Sequence, residues 1–462
     1  MLGSFGQIGR NAFLRASAWQ GGLGPAVALG IYFSIHYMIL MAQSSYGPSP
    51  LDETAVTLIA LPALYYLTRS GDWTIAVYCG YIFCLLVGPL AHNYGGVPQP
   101  ISSIKAAVLD LKLPFVVLAA SFAFSATRDV KKIFTSMYLV FMGFAFLNIP
   151  FVFYDLAAGH TIFDRELASK GSYLQPLALC GSAAELAWLN CLACFGALAR
   201  GAERRNVWYT VSAILFALMV VITASIKEIA ALVLGAYLIT QHRQGGLFKN
   251  MLLLGAAAAV LIPLFAFTGV GESMLGHLNM FVGADAIPTV RAGMMNASFQ
   301  IGIDHFPFGT GGGTFGSAPS YQDGYSNVYY AYGISMLNGG GPTFAAFLQD
   351  VFWAKIIGEA GFLGAICYVI YIATFALRCY RAMRYSGGRA DVATRYSLAV
   401  QVMLFLVSLA SSPYTNELLL VVAGVTMAYG ARSEALYVPA PRSRYIAPSP
   451  RPFVSPHAKL PK

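Results

Sequence analysis

Charge is scarce in this chain: Asp, Glu, Lys and Arg together make up 11% of its 462 residues, against 57% hydrophobic. So little charge excludes a soluble protein with a solvated surface, and a mean hydropathy of +0.62 points instead to a polytopic membrane protein. Cysteine is sparse as well. The seven at positions 79, 84, 180, 191, 194, 367 and 379 all lie within or at the ends of apolar runs, which excludes an external disulfide framework and a zinc cage. Cys191 and Cys194 form a CxxC, but inside an apolar run, where they read as small buried side chains. Strict apolar–polar alternation is missing too, which excludes a membrane β-barrel. Before the first apolar run, residues 1–23 contain no long apolar core, so no cleavable signal is expected there.

What is present is a series of apolar runs long enough to span lipid as helices. They fall at 24–42, 54–68, 73–91, 105–126, 133–155, 174–199, 207–225, 229–241, 250–269, 357–377, 396–412 and 414–430. The expected fold is an all-α bundle of about twelve transmembrane helices over residues 1–435, with one long external loop at about 270–356 that carries short amphipathic helices. A basic, proline-rich cytoplasmic tail is expected at 436–462, disordered by composition. With both termini cytoplasmic, 22 of the 29 Lys and Arg residues fall inside, as orientation by positive loops requires. The net charge of +9 then reflects topology and anionic lipid headgroups rather than nucleic acid.

Seven cations remain outside, Lys105, Lys112, Arg165, Lys170, Lys227, Arg291 and Lys355, set against fifteen carboxylates on that side. Each therefore invites a reason. Arg291 opens the stretch VRAGMMNASFQIGIDHFPFGTGGGTF, in which Val290, Met294, Ala297 and Ile301 form an apolar stripe. Gly302 follows Arg291 by eleven residues, about three helical turns, on nearly the same face. One reading is an amphipathic helix on the bilayer with Arg291 reaching to headgroups; the other is an anion site. Lys227, at the start of a helix, opposes the helix dipole, an arrangement an anionic ligand would relieve; pairing with Glu228 is the plainer alternative. Arg165 is flanked by Asp164 and Glu166, which could satisfy it. Asp350, beside apolar Val351, Phe352 and Trp353, is either a general base or a partner for Lys355, while Glu359 reads equally as a helix-packing residue.

The glycines at 309 and 311–313 lack the Lys-Ser/Thr pair of a nucleotide phosphate loop. They point to a tight turn at the membrane surface or to close backbone approach to a ligand. Tyrosines 321, 325, 329, 330 and 332 could stack on sugar rings or form an interfacial aromatic belt.

Taken in order, the long outer loop, the spacing from Arg291 to Gly302, the following HFPFGTGGGTF and the closing EAGFLG from Glu359 resemble the O-antigen polymerase and O-antigen ligase superfamily, membrane glycosyltransferases of the GT-C class. The resemblance covers chiefly residues 220–375. It implies a metal-independent enzyme without cofactor in a bacterial inner membrane, with a periplasmic active site. Its donor and acceptor would be undecaprenyl-diphosphate-linked oligosaccharides, in a system that also includes a chain-length regulator and a flippase. Arg291 matches a family arginine that holds pyrophosphate. Lys227, in Ser225-Ile226-Lys227, stands near a family Ser-Arg element, and Arg165 aligns loosely as a third cation.

Ligases of this family carry a histidine nine residues before the Glu-x-Gly, and here that position is Asp350. This departure favours polymerisation of repeat units over ligation to a lipid A core, with Asp350 as base and His305 as a substitute. Tyr325 and Tyr330 would hold sugar. Two other classes compete. A metal-dependent membrane glycosyltransferase would use a carboxylate pair such as Asp52-Glu53 in its first outer loop, and a transporter would show inverted repeats and midplane charges, of which Glu185 is the main example.

Overall fold

The computed structural model describes residues 63–68, 71–91, 100–126, 130–167, 169–170, 173–240, 289–345, 347–386 and 391–437. Apart from one short hairpin, the regular structure there is helical. Three long helices come first: α1 (Trp73–Ala91), α2 (Pro100–Ala126) and α3 (Val130–Ala158). The hairpin pairs β1 (Ser169–Lys170) with β2 (Tyr173–Leu174). Next are α4 (Ala183–Arg204), α5 (Val207–Ile222) and α6 (Ile226–Thr240). Beyond them lie α7 (Val290–Asp304), the short turns α8 (Pro319–Gln322) and α9 (Asn327–Ala331), then α10 (Phe352–Tyr385), α11 (Val392–Ser408) and α12 (Glu417–Tyr437).

Among the described residues, four helices are long and apolar enough to cross a membrane: Trp73–Leu90, Ile101–Ser125, Lys132–Ala158 and Phe352–Tyr385. The protein is thus an all-α membrane protein, as composition required. The α5 and α11 helices are apolar but shorter. The runs expected at 24–42 and 250–269, most of 54–68, Asp52-Glu53 and the tail from 438 lie outside the described residues.

Where helices begin and end follows local chemistry. Asn206 caps α5, Thr289 caps α7 and Asp391 caps α11, each accepting a backbone N–H of the first turn. The span expected at 174–199 needs correction: α4 starts only at Ala183, capped by Ser182. Pro176 and Gly181 disfavour helix in the preceding segment. That segment is instead pinned across the bundle. Buried Asp155 on α3 accepts the N–H groups of Leu177 and Ala178 at 2.9 and 2.6 Å, and Gln175 donates to the carbonyl of Thr223 at 2.5 Å.

The helices pack around a core rich in buried aromatics. Tyr78 and Tyr81 of α1 meet Tyr368 of α10 edge-on or tilted, with centroids 5.8 and 5.1 Å apart. Ion pairs sort by the side to which their residues were assigned. Arg378 joins Asp72 and Glu434, and Arg381 joins Glu434, all from segments expected inside. Lys105–Asp323, Arg291–Asp350 and Lys355–Asp110 join residues expected outside. Asp72 illustrates the energetics: burial raises the pKa of its carboxyl, but hydrogen bonds from Arg378 and Thr74 more than offset this and leave it low.

Residues 289–351 form a second core. The stripe of Val290, Met294, Ala297 and Ile301 is buried against Phe315, Val328, Tyr329, Ile334, Leu348 and Val351. Each fully buried aliphatic side chain contributes about 1.5–3 kcal/mol, enough to fix α7 on this loop. The stripe is therefore covered by protein, and α7 does not lie on lipid by that face. Lys105 and Ser102 of α2 anchor the loop's far side by hydrogen bonds to Asp323 at 2.7 and 3.1 Å.

Candidate functional site

The glycines are explained by a break in α10. At Gly361 the backbone leaves the helix, with φ 66° and ψ −175°, a conformation open essentially only to glycine. A break inside an apolar bundle strands backbone groups that lipid cannot satisfy. Residues 307–311 satisfy them. Thr310 N–H donates to the carbonyl of Gly358 at 2.9 Å, Gly311 N–H to that of Glu359 at 2.8 Å, and Leu363 N–H to that of Pro307 at 3.3 Å. Such proximity leaves no room for side chains. A Cβ on Gly361 would lie 2.2 Å from the Pro307 oxygen, and one on Gly311 2.2 Å from the ring of Pro89. The sequence pointed to a surface turn or to close approach to a ligand; the close approach seen is to α10 and α1 of the chain itself.

Glu359 completes the join. Its Oε1 accepts the N–H groups of Thr314 and Phe315 at 3.0 Å each and the hydroxyl of Ser317 at 2.5 Å. The helix-packing reading of Glu359 fits this geometry. By fixing the loop, the join also fixes Asp350, which sits at the entry to α10.

At that entry Arg291 Nη2 donates to Asp350 Oδ2 at 2.6 Å, and its guanidinium lies 5.2 Å from the centroid of the Phe347 ring. Both charged side chains are 39% exposed. The expected alternative partner of Asp350 was Lys355, and that is corrected: Lys355 turns inward and binds Asp110 Oδ1 at 2.6 Å. Asp350 precedes the helix, whereas Lys355 lies on its buried side.

Lys227 joins this group from the first turn of α6. Its Nζ donates to the carbonyl of Ala410 at 2.8 Å and to Ser411 Oγ, and lies 3.8 Å from Glu228 Oε1. Burial lowers the pKa of this ammonium, Glu228 raises it, Arg291 lowers it again and Asp350 raises it; the net effect is a decrease. Arg291 and Asp350 are thus close enough for their charges to act on Lys227. The turn between α11 and α12 links the pieces: Ser411 takes Lys227, and Ser412 Oγ donates to the carbonyl of Gln349, the neighbour of Asp350. Sequence reasoning missed Phe347, Ser411 and Ser412. The only signal was SSPYT after an apolar run, which marks a turn and nothing more.

Other candidates stand further off. His305 caps the opposite end of α7, fourteen residues from Arg291 or roughly 21 Å at ~1.5 Å per residue. There its Nε2 meets the hydroxyl of Tyr332 at 3.2 Å. Arg165 is partly buried, and its charge acts on Glu185 at the start of α4, which itself accepts from Asn416 Nδ2 at 3.1 Å. Tyr325 donates its hydroxyl to the Gly340 carbonyl, and burial pushes its pKa up to about 12. Its ring packs edge-on against Tyr330, centroids 5.1 Å apart, and Tyr330 is half exposed. Of the two, Tyr330 presents the free face.

Arg291 and Asp350 therefore pair directly, with Lys227 brought near them by the α11–α12 turn, while His305 lies apart. Two cations and a half-buried carboxylate can hold a phosphate group and accept a proton beside it. No protein-family model matches the chain, and no curated protein matches its sequence.

Proposed function

We propose that this protein polymerises undecaprenyl-diphosphate-linked oligosaccharide repeat units into a surface polysaccharide, at the periplasmic face of a bacterial inner membrane. The observation that carries this reading is the Arg291–Asp350 pair with Lys227 held close by through the Ser411–Ser412 turn, side chains drawn from three separate segments.

In this reading Lys227 and Arg291 hold the donor diphosphate while its lipid tail stays in the bilayer. Asp350 and Glu228 balance the two cations charge for charge. A diphosphate gains its full attraction only by taking Arg291 from Asp350. Donor binding and release of the base thereby become one event. The freed Asp350 takes the proton of an acceptor hydroxyl as that oxygen bonds to the donor's anomeric carbon. The bond from that carbon to the diphosphate breaks, and undecaprenyl diphosphate leaves with its added charge stabilised by Arg291 and Lys227. Tyr330 offers a face for sugar stacking.

Deleting the protein from its host and sizing the surface polysaccharide tests this. Accumulation of single repeat units is the expected result. Free long polymer with a bare lipid A core would replace polymerisation by ligation, and loss of all external lipid-linked glycan would replace it by transport.

A further inference from the structure

The end of the bundle opposite the candidate site carries positive charge that no protein group answers. Glu185 in the first turn of α4 takes Asn416 of the α11–α12 turn, and α5 ends at Thr223, four residues before Lys227, so both helices reach the site end. The turn that joins them, Arg204-Arg205-Asn206, therefore lies at the far end. Its one nearby carboxylate, Glu203, is already engaged by Arg200 Nη1 at 2.8 Å. Arg204 and Arg205 are exposed and have no side-chain partner among the described residues, whereas Arg378 and Arg381 at the same end are held by Asp72 and Glu434. Two positive charges are left over.

Arg205 ends α4 with φ 51° and ψ 33°, the left-handed conformation in which a glycine is the usual helix terminator. Its side chain lines a cleft of about 470 Å³ with Gly201, Asn206, Val207 and Thr210. Val207 belongs both to this cleft and to an exposed apolar face of α5 that continues through Trp208, Val211 and Ile214 at helical spacing. Trp208 is 71% exposed. A tryptophan standing open beside cations at a helix end is the arrangement of a membrane–water interface.

We infer that the α4–α5 turn binds one anionic phospholipid, its phosphate in the cleft against Arg204 and Arg205 and its acyl chains along Val207, Trp208, Val211 and Ile214. The guanidinium forks match phosphate oxygens in pairs, and the apolar face begins where the cleft ends, so one ligand with an anionic head and an apolar tail meets both. A zwitterionic lipid brings its own cation into the same cleft. The net-anionic headgroup is therefore preferred.

Fluorescence quenching of the full chain in phosphatidylcholine nanodiscs tests this, with a small share of the lipid replaced by brominated phosphatidylglycerol or brominated phosphatidylethanolamine. Subtracting the signal of Trp208→Phe isolates Trp208. In the wild type the anionic lipid should quench Trp208 at a mole fraction about tenfold or more below that of the zwitterionic one, as two cations at the headgroup level provide. Arg205→Gln should lose most of that preference, and the double variant Arg204→Gln, Arg205→Gln all of it. Arg384→Gln is the control, since Arg384 is exposed at the same end, near the end of α10, and also has no side-chain partner among the described residues. It should keep the full preference. Equal quenching by the two lipids in wild type would overturn the assignment, as would an equal loss in Arg384→Gln, which would make the effect one of diffuse surface charge. Relief of quenching by millimolar inorganic phosphate would overturn it too, by making the cleft a site for the free anion. The wild-type comparison decides alone should a variant fail to fold.

Discussion

Cells whose only copy carries Arg291→Ala are expected to contain the protein in normal amounts and to make no polymer. The two halves of that result have different causes. Arg291 and Asp350 are each 39% exposed, and an ion pair so open to solvent contributes only about 0–1 kcal/mol to folding. Catalysis loses far more, because a cation aimed at developing charge is worth on the order of 10²–10³ in rate. Arg291→Lys should recover little, since an ammonium lacks the guanidinium's fork. Asp350→Asn completes the comparison. It removes the base and also releases Arg291, so turnover should fall by about 10²–10⁴ while the donor binds no more weakly than to wild type. Radiolabelled donor retained on the purified variants separates the two effects. If Asp350 served only to hold Arg291, the asparagine variant would keep nearly full activity.

The largest effect on stability is expected at Lys355. Its side chain and that of Asp110 are 7% and 6% exposed, so removing either partner strands a buried charge. Lys355→Ala should cost about 3–5 kcal/mol, seen as a large drop in thermal midpoint or as loss of protein from the membrane. The double variant Asp110→Asn, Lys355→Met should recover much of that loss, since replacing both members of a buried pair is often close to neutral. Failure of the double variant to recover would mean that the pair fixes the packing of α2 on α10 as well as its charge.

These pairings show where the sequence was legible and where it was not. The stripe on α7 repeats at helical spacing, so the apolar face of Val290, Met294, Ala297 and Ile301 was legible, but not that protein rather than lipid covers it. Likewise, the run at 73–91 is α1 to the residue. Partners are another matter. Asp350 has a cation five residues downstream in Lys355, and local reasoning chooses it over Arg291, 59 positions away. Lys355 finds Asp110 across 245 positions. No local period encodes such distances, which depend on how helices stack. The break at Gly361 was hidden for the same reason: a glycine in an apolar run reads as a tolerated small residue until the Pro307 carbonyl is seen 2.2 Å from where its Cβ would stand. The segment at 174–182 was misread because apolar residues were counted without weighing Pro176 and Gly181.

The glycine cluster illustrates how a motif can be conspicuous for a reason other than ligand contact. The N–H groups of Thr310 and Gly311 bond the broken helix, that of Gly312 bonds the Leu85 carbonyl on α1, and together they hold the entry to α10 in place. Asp350 and Arg291 depend on that scaffold without touching it. The candidate site is thus a surface feature resting on a buried join, and the two can be disturbed separately, at Arg291 for the first and at Lys355 or Glu359 for the second.

The central claim is that the protein itself elongates lipid-linked glycan. Purified protein in detergent, where no transport can be scored, should be given undecaprenyl-diphosphate-linked repeat units and a chelator, and the products sized by electrophoresis. The account predicts a ladder of glycans longer by whole repeat units from wild type, with none from Arg291→Ala. Unchanged single repeat units from a folded wild-type protein that binds them would contradict it.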